Sequence, residues 1–110
     1  MSDRPDQYGF GNFSASAVGT NAGVTATQAA SGAKMYECTG IQVSGDAAAL
    51  VTIESPAATV LWRKRYAAAF QDNVPFGLAP IAGAVGAAIL VKISASTSNS
   101  EANIQGYSKQ

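Results

Sequence analysis

From Ala15 onward the chain runs in short stretches of alternating apolar and polar residues, separated by turn formers. The clearest is Ala49-Leu50-Val51-Thr52-Ile53-Glu54. A period of two puts Val51 and Ile53 on one face and Thr52 and Glu54 on the other, and Ser55-Pro56 ends the run. Ala88 to Ser94 repeats the pattern, with Ile89, Val91 and Ile93 inward and Leu90, Lys92 and Ser94 outward. Lys34 to Val43 sets Ile41 and Val43 on one face, and Gly40 in mid-run predicts a bulge. Ser44-Gly45-Asp46 reads as a tight turn. Ala102 to Lys109 closes the chain as a strand, Ile104 inward and Tyr107 at a rim. Val18 to Gln28 is rich in Thr, Ala and Gly around a turn at Asn21-Ala22-Gly23, and Ala29-Ala30-Ser31-Gly32 is a break.

Thr59 to Phe70 fits two periods. As a strand, Val60, Trp62, Lys64, Tyr66, Ala68 and Phe70 share a face opposite Leu61, Arg63 and Arg65. As a helix, Trp62, Tyr66 and Phe70 stack at four-residue intervals. The strand is preferred, because its neighbours read as strands and local propensity is a weak guide. Asp72 to Gly77 reads as a loop, Pro75 and Pro80 mark an edge or loop segment, and Ser96 to Ser100 is a polar turn. Six or seven short strands with frequent turns predict an all-β, antiparallel β-sandwich, jelly-roll-like. No βαβ alternation and no internal repeat appears. Residues 1–14 form an extended, flexible N-terminal arm in this reading, because glycines separate Tyr8, Phe10 and Phe13; residues 15–110 form the sandwich.

Composition narrows function more than it narrows fold. At 110 residues the chain is one domain, and 13% charged residues is about half the usual share. So sparse a charge suggests that part of the surface is covered by another copy or another protein. The chain has no histidine, so the common general base near neutral pH is missing. Without His or a Cys pair the usual zinc sites are excluded, and no EF-hand loop, P-loop or GxGxxG occurs. Cys38 reads as a buried, inert thiol, since Lys34, the nearest cation in sequence, would sit about 13 Å along a strand. The expectation is a non-enzymatic protein without cofactor, metal or catalytic residues.

The formal net charge is zero, which argues against general nucleic-acid binding. The apolar stretch Ile81–Val91 is too short to span a bilayer as a helix, so no membrane partner is expected. The chain opens on polar residues without the apolar core of a secretory signal. The one charge cluster is Arg63-Lys64-Arg65, flanked by Trp62 and Tyr66. It reads either as a solvated edge that discourages strand addition or as a contact surface for an anionic partner. Tyr8, Phe10, Phe13, Trp62, Arg63 and Arg65 are therefore the partner-contact candidates, aromatics and arginines being enriched at interface centres.

The string Met35-Tyr36-Glu37-Cys38-Thr39-Gly40-Ile41-Gln42-Val43-Ser44-Gly45-Asp46-Ala47-Ala48-Ala49-Leu50-Val51-Thr52-Ile53-Glu54-Ser55 resembles the first half of small jelly-roll head decoration (cement) proteins of tailed bacteriophages. The Phe…Pro loop, the strand Ala88–Ser94 and the last strand Ala102–Tyr107 extend the similarity over about residues 33–108. The resemblance implies a virion structural protein on the capsid exterior, a homotrimer that binds the major capsid protein and braces the shell, with no catalytic residues. In such an assembly the Ala/Gly-rich segment Ala82–Ala88 would let copies approach around an axis, and the arm would reach the shell. A head-fibre or tail module that binds a host receptor or glycan, stacking it on Trp62, Tyr66 and Tyr107, is the alternative.

Overall fold

The computed structural model describes residues 11–20, 23–94 and 99–109. Among them the chain forms nine strands and no helix: β1 (Gly11–Thr20), β2 (Val24–Gln28), β3 (Met35–Gly45), β4 (Ala49–Glu54), β5 (Val60–Tyr66), β6 (Phe70–Pro75), β7 (Ile81–Ala82), β8 (Ile89–Ile93) and β9 (Asn99–Lys109). Every pairing is antiparallel. The first sheet has the order β1-β9-β3-β6, with the short β7 also on β3; the second has β2-β8-β4-β5. With β7 set aside, the chain is an antiparallel ribbon that pairs β1 with β9, β2 with β8, β3 with β6 and β4 with β5, rolled so that successive pairs alternate between sheets. This is the jelly-roll arrangement.

The predicted core is the observed one. Ile41, Val51, Ile53, Ile89, Val91, Ile93 and Ile104 are all fully buried, with Val43, Phe13, Val24 and Tyr36 around them. Burial of each such side chain is worth about 1.5–3 kcal/mol, so this inter-sheet layer is the main support of the fold. The bulge foreseen near Gly40 is present, as a register shift between Cys38 and Gly40 against β9. It changes the phase of β3, so that Cys38 and Ile41, three residues apart, both point inward. From Ile41 onward the strict alternation leaves Gln42 outside.

Several expectations need correction. Residues 11–14 are not part of an arm but the first half of β1, in register with Gln105–Ser108 of β9. Phe13 is 9% exposed and meets Tyr36 edge-on at 5.2 Å, so it anchors the core instead of waiting for a partner. Tyr8 and Phe10 lie outside the described residues. Asp72–Pro75 is not loop: it belongs to edge strand β6, paired with β3 up to Gly40↔Pro75, and an edge is where proline is tolerated. Asn99 and Ser100, read as turn, open β9. Thr59–Phe70 is not one element: β5 stops at Tyr66, a bend follows, and Phe70 starts β6 in the other sheet.

Thr52, Glu54 and Leu90 do lie on the outer face of the second sheet, yet each is buried. Glu54 accepts hydrogen bonds from the Ala58 amide at 2.7 Å and the Thr52 hydroxyl at 2.8 Å. Burial works against its ionisation, but those two donors and the charge of Lys92 together hold the carboxyl below its ordinary range. The bond from Ala58 ties the carboxylate to the Ser55–Thr59 loop, which folds over this outward side chain. Leu90 is in register with Glu54 on one side and Thr27 on the other.

Candidate functional site

The strand directions gather the connections into two groups. The β3–β4 and β5–β6 links lie at one end of the sandwich, where β1 and β8 end and β9 begins; the β2–β3, β4–β5 and β6–β8 links meet at the other, beside Gly11 and Lys109. Local hydrogen bonds knit the second group together. Ser55 Oγ accepts from the Ala84 amide at 3.1 Å and donates to the Ala88 carbonyl at 2.6 Å. The Gly86 amide donates to Lys34 O, the Gly83 amide to Tyr36 O, and the Tyr36 hydroxyl to Ala29 O.

Among the described residues the loops of this end are apolar and poor in charge, with Lys34 as the exception and the Lys109–Glu37 pair beside them. Residues 29–33, 55–61 and 76–88 contain no Asp, Glu, Lys or Arg, and from Phe76 to Ala88 there is no polar side chain at all. Leu78 is fully exposed, Val85 is 70% exposed, and Val60 and Leu61 are exposed nearby in sequence on β5. The sequence held this signal as an uninterrupted Ala/Gly/Pro/aliphatic run, of which only the segment from Ala82 was singled out as a contact surface. What it did not reveal is that the two other links, distant in sequence and with Lys34 as their one charge, come to the same end.

The Arg63-Lys64-Arg65 cluster divides by face, as strand alternation requires. Lys64 turns toward β6 and pairs with Asp72 at 3.2 Å. Arg63 and Arg65 are exposed on the outer face, with no ion pair among the described residues. Register adds a third cation that sequence proximity could not: Arg63 lies across from Thr52 on β4, and Thr52 across from Lys92 on β8.

The aromatics that flank the cluster face the opposite way. Trp62 packs on the core and meets Phe76 edge-on at 5.6 Å, and Tyr66 stacks on Phe70 at 4.3 Å. The Tyr66 hydroxyl donates to Asp72, which pulls the Asp72 carboxyl below its ordinary range with help from Lys64; burial, then Asp72, pushes the Tyr66 phenol far up. Trp62, Arg63 and Arg65 therefore do not form one combined site: the tryptophan and Tyr66 seal the gap between the sheets, and the arginines face outward. Tyr107 lies on the outer face of the first sheet, where its hydroxyl donates to Glu37. Lys109 pairs with the same carboxylate at 2.8 Å and is the main reason its pKa is lowered, Tyr107 being the next.

No constellation for catalysis emerges among these residues. Cys38 is wholly buried, and burial raises its thiol pKa to about 11, the reverse of what a nucleophile needs. Among the described residues no cluster of His, Cys, Asp or Glu could hold a metal ion.

No protein family matches this chain, and no curated protein does. Among solved structures it is similar to the Yersinia pseudotuberculosis-derived mitogen, at 8% identity and TM-score 0.40, over 88% of this chain and 84% of that one. It is similar to the CBM36-1 domain of a multidomain xylanase from the hindgut metagenome of Trinervitermes trinervoides, at 13% identity and TM-score 0.37, over 86% and 75%. A chain of infectious bursal disease virus, Gt strain, aligns at 11% identity and TM-score 0.28, over 90% of this chain but 30% of that one. At such identities and TM-scores the likeness carries no argument about this chain.

Proposed function

We propose that this chain is a non-enzymatic structural protein of a tailed-bacteriophage virion, a decoration protein that docks on the capsid exterior and assembles as a homotrimer. The observation that carries the reading is the charge-poor group of loops at one end, where the fully exposed Leu78 and the exposed Val85 present apolar side chains to solvent. Contiguous exposed apolar surface on a soluble domain marks a place where another protein sits, and interface cores are depleted of charge in the same way. The jelly-roll strand order agrees with what the resemblance of residues 33–108 implies. The exposed Arg63, Arg65 and Lys92 lie away from that surface, on the outer face of the second sheet, where charges affect encounter rate more than affinity.

The test joins assembly to docking. Sedimentation velocity at tens of micromolar is expected to show a trimer, and the protein is expected to co-sediment with heads assembled without it. The double variant Leu78→Asp/Val85→Asp is expected to lose both properties with its fold intact, because substitutions at exposed sites change stability by only about 0.5 kcal/mol. A wild-type monomer that does not co-sediment with heads overturns the proposal. The alternative of a glycan stacked on aromatic platforms loses Trp62 and Tyr66, both turned inward.

A further inference from the structure

The outer face of the β1-β9-β3-β6 sheet carries a shallow groove of about 800 Å³. It lies toward the end of the sandwich opposite the apolar loops, so docking through those loops leaves it open to the surroundings. Register, not sequence, assembles its floor. Ser16 on β1 faces Asn103 on β9; Asn103 faces Gln42 on β3; Gln42 faces Asn73 on β6. The next row along the strands is Val18, Glu101, Ser44 and Gln71.

We propose that this groove binds a neutral, extended polysaccharide laid across the strands. Neighbouring strands are about 4.8 Å apart, close to the advance of one pyranose ring along an extended glycan. A row of four side chains on four adjacent strands therefore offers hydrogen-bonding groups in step with successive rings. Side-chain amides carry donors and an acceptor, and hydroxyls carry both, which suits a ligand whose every hydroxyl also does both. Asn103, at the centre, donates from Nδ2 to Ser14 Oγ at 3.3 Å, while its Oδ1 is enclosed and has no hydrogen-bond partner among the described residues. A ligand hydroxyl meets this oxygen only once the amide turns toward the groove, and doing so relieves the penalty of an unused buried acceptor. Val18, 76% exposed, offers an apolar surface to the C–H face of a ring.

The charge on the groove selects among polymers. No Lys or Arg lines it; its charged side chains are the carboxylates of Glu101 and of Asp72, the latter held by Tyr66 and Lys64. Nucleic acids and sulfated or uronic glycans would meet repulsion with no counter-charge. The cations Arg63, Arg65 and Lys92 belong to the other sheet. The inference does not depend on capsid docking, since the groove shares no residue with the apolar end.

The test is native affinity electrophoresis of the full chain through gels that contain dextran, laminarin, mannan, arabinoxylan or, as the anionic control, heparin. At least one neutral polymer is expected to retard the protein, with amide shifts on titration centred on Ser16, Gln42, Asn73 and Asn103. Gln42→Ala/Asn73→Ala is expected to weaken that binding at least about tenfold, the loss of one or two hydrogen bonds. Both positions are exposed, so the variant keeps its fold, which its melting curve checks. No retardation by any neutral polymer, retardation by heparin alone, or full binding by the folded double variant would each overturn the proposal.

Discussion

Gly106 permits the bulge that sets the outward face of β3, and its replacement by alanine tests that geometry directly. A Cβ built on Gly106 would overlap the Glu37 carbonyl oxygen and come within 2.9 Å of the Glu37 carbonyl carbon and 3.0 Å of Cys38 Cα. All three are backbone atoms of the neighbouring strand, so no side chain can swing aside; β3 or β9 must move. Overpacking of a well-filled interior costs about 1–3 kcal/mol and occasionally more. With only backbone to yield, Gly106→Ala belongs at the upper end, about 3 kcal/mol. For a domain near this size each kcal/mol lowers Tm by about 4–8 °C, so the expected fall is about 12–24 °C. Gly32→Ala is the control. Its φ of +57° lies in the left-handed region, but nothing stands within 4 Å of an added Cβ, so it carries only the conformational penalty of about 1–2 kcal/mol. Urea unfolding followed by the fluorescence of Trp62, the only tryptophan, measures both, with circular dichroism for Tm. A Gly106→Ala protein within about 0.5 kcal/mol of wild type, the scatter of neutral surface substitutions, would refute the close approach of β3 and β9 and the outward placement of Gln42 that follows from it.

Acid should weaken the seam between β5 and β6. The folded-state pKa of Asp72 is lowered, mainly by the Tyr66 hydroxyl and then by Lys64, so its stabilisation is present above the unfolded carboxyl value and is lost as pH falls through the folded one. Asp72→Asn is expected to be about 1 kcal/mol less stable than wild type at pH 7, with the gap closing as the pH falls below the ordinary carboxylate range and through the lowered folded-state pKa of Asp72; a gap that does not narrow in acid would contradict this. Arg63→Glu/Arg65→Glu should leave Tm within a few degrees, since both arginines are exposed and have no ion pair among the described residues; a large loss would show that they brace the fold. Cys38 should resist alkylation at pH 8 in the native protein and react at once in urea, because its thiol is buried and its pKa raised to about 11; fast native labelling would show that the β3–β9 contact opens readily.

The period-two runs Ala49–Glu54 and Ala88–Ser94 already spoke for an all-β fold and for part of its core: inward hydrophobic positions are a local property of a strand, and Val51, Ile53, Ile89, Val91 and Ile93 were legible one by one. The missing histidine and the lone, distant cysteine likewise set the limits on chemistry without coordinates. Pairing across the chain was not legible. Phe13 reads as a free aromatic among glycines until β1 is seen against β9, 89 positions on for the Ser14–Asn103 contact alone. Strand alternation already separated Arg63 and Arg65 from Trp62, but only the β4 and β8 register brings Lys92 to the arginines, and only the chain leaving β6 of the first sheet gives the tryptophan Phe76 to pack on. The amide row Ser16–Asn103–Gln42–Asn73 and the apolar end exist because strands far apart in sequence lie side by side. Local sequence fixes which face a residue takes; the order of strands, a sum of many long-range contacts, decides what that face meets.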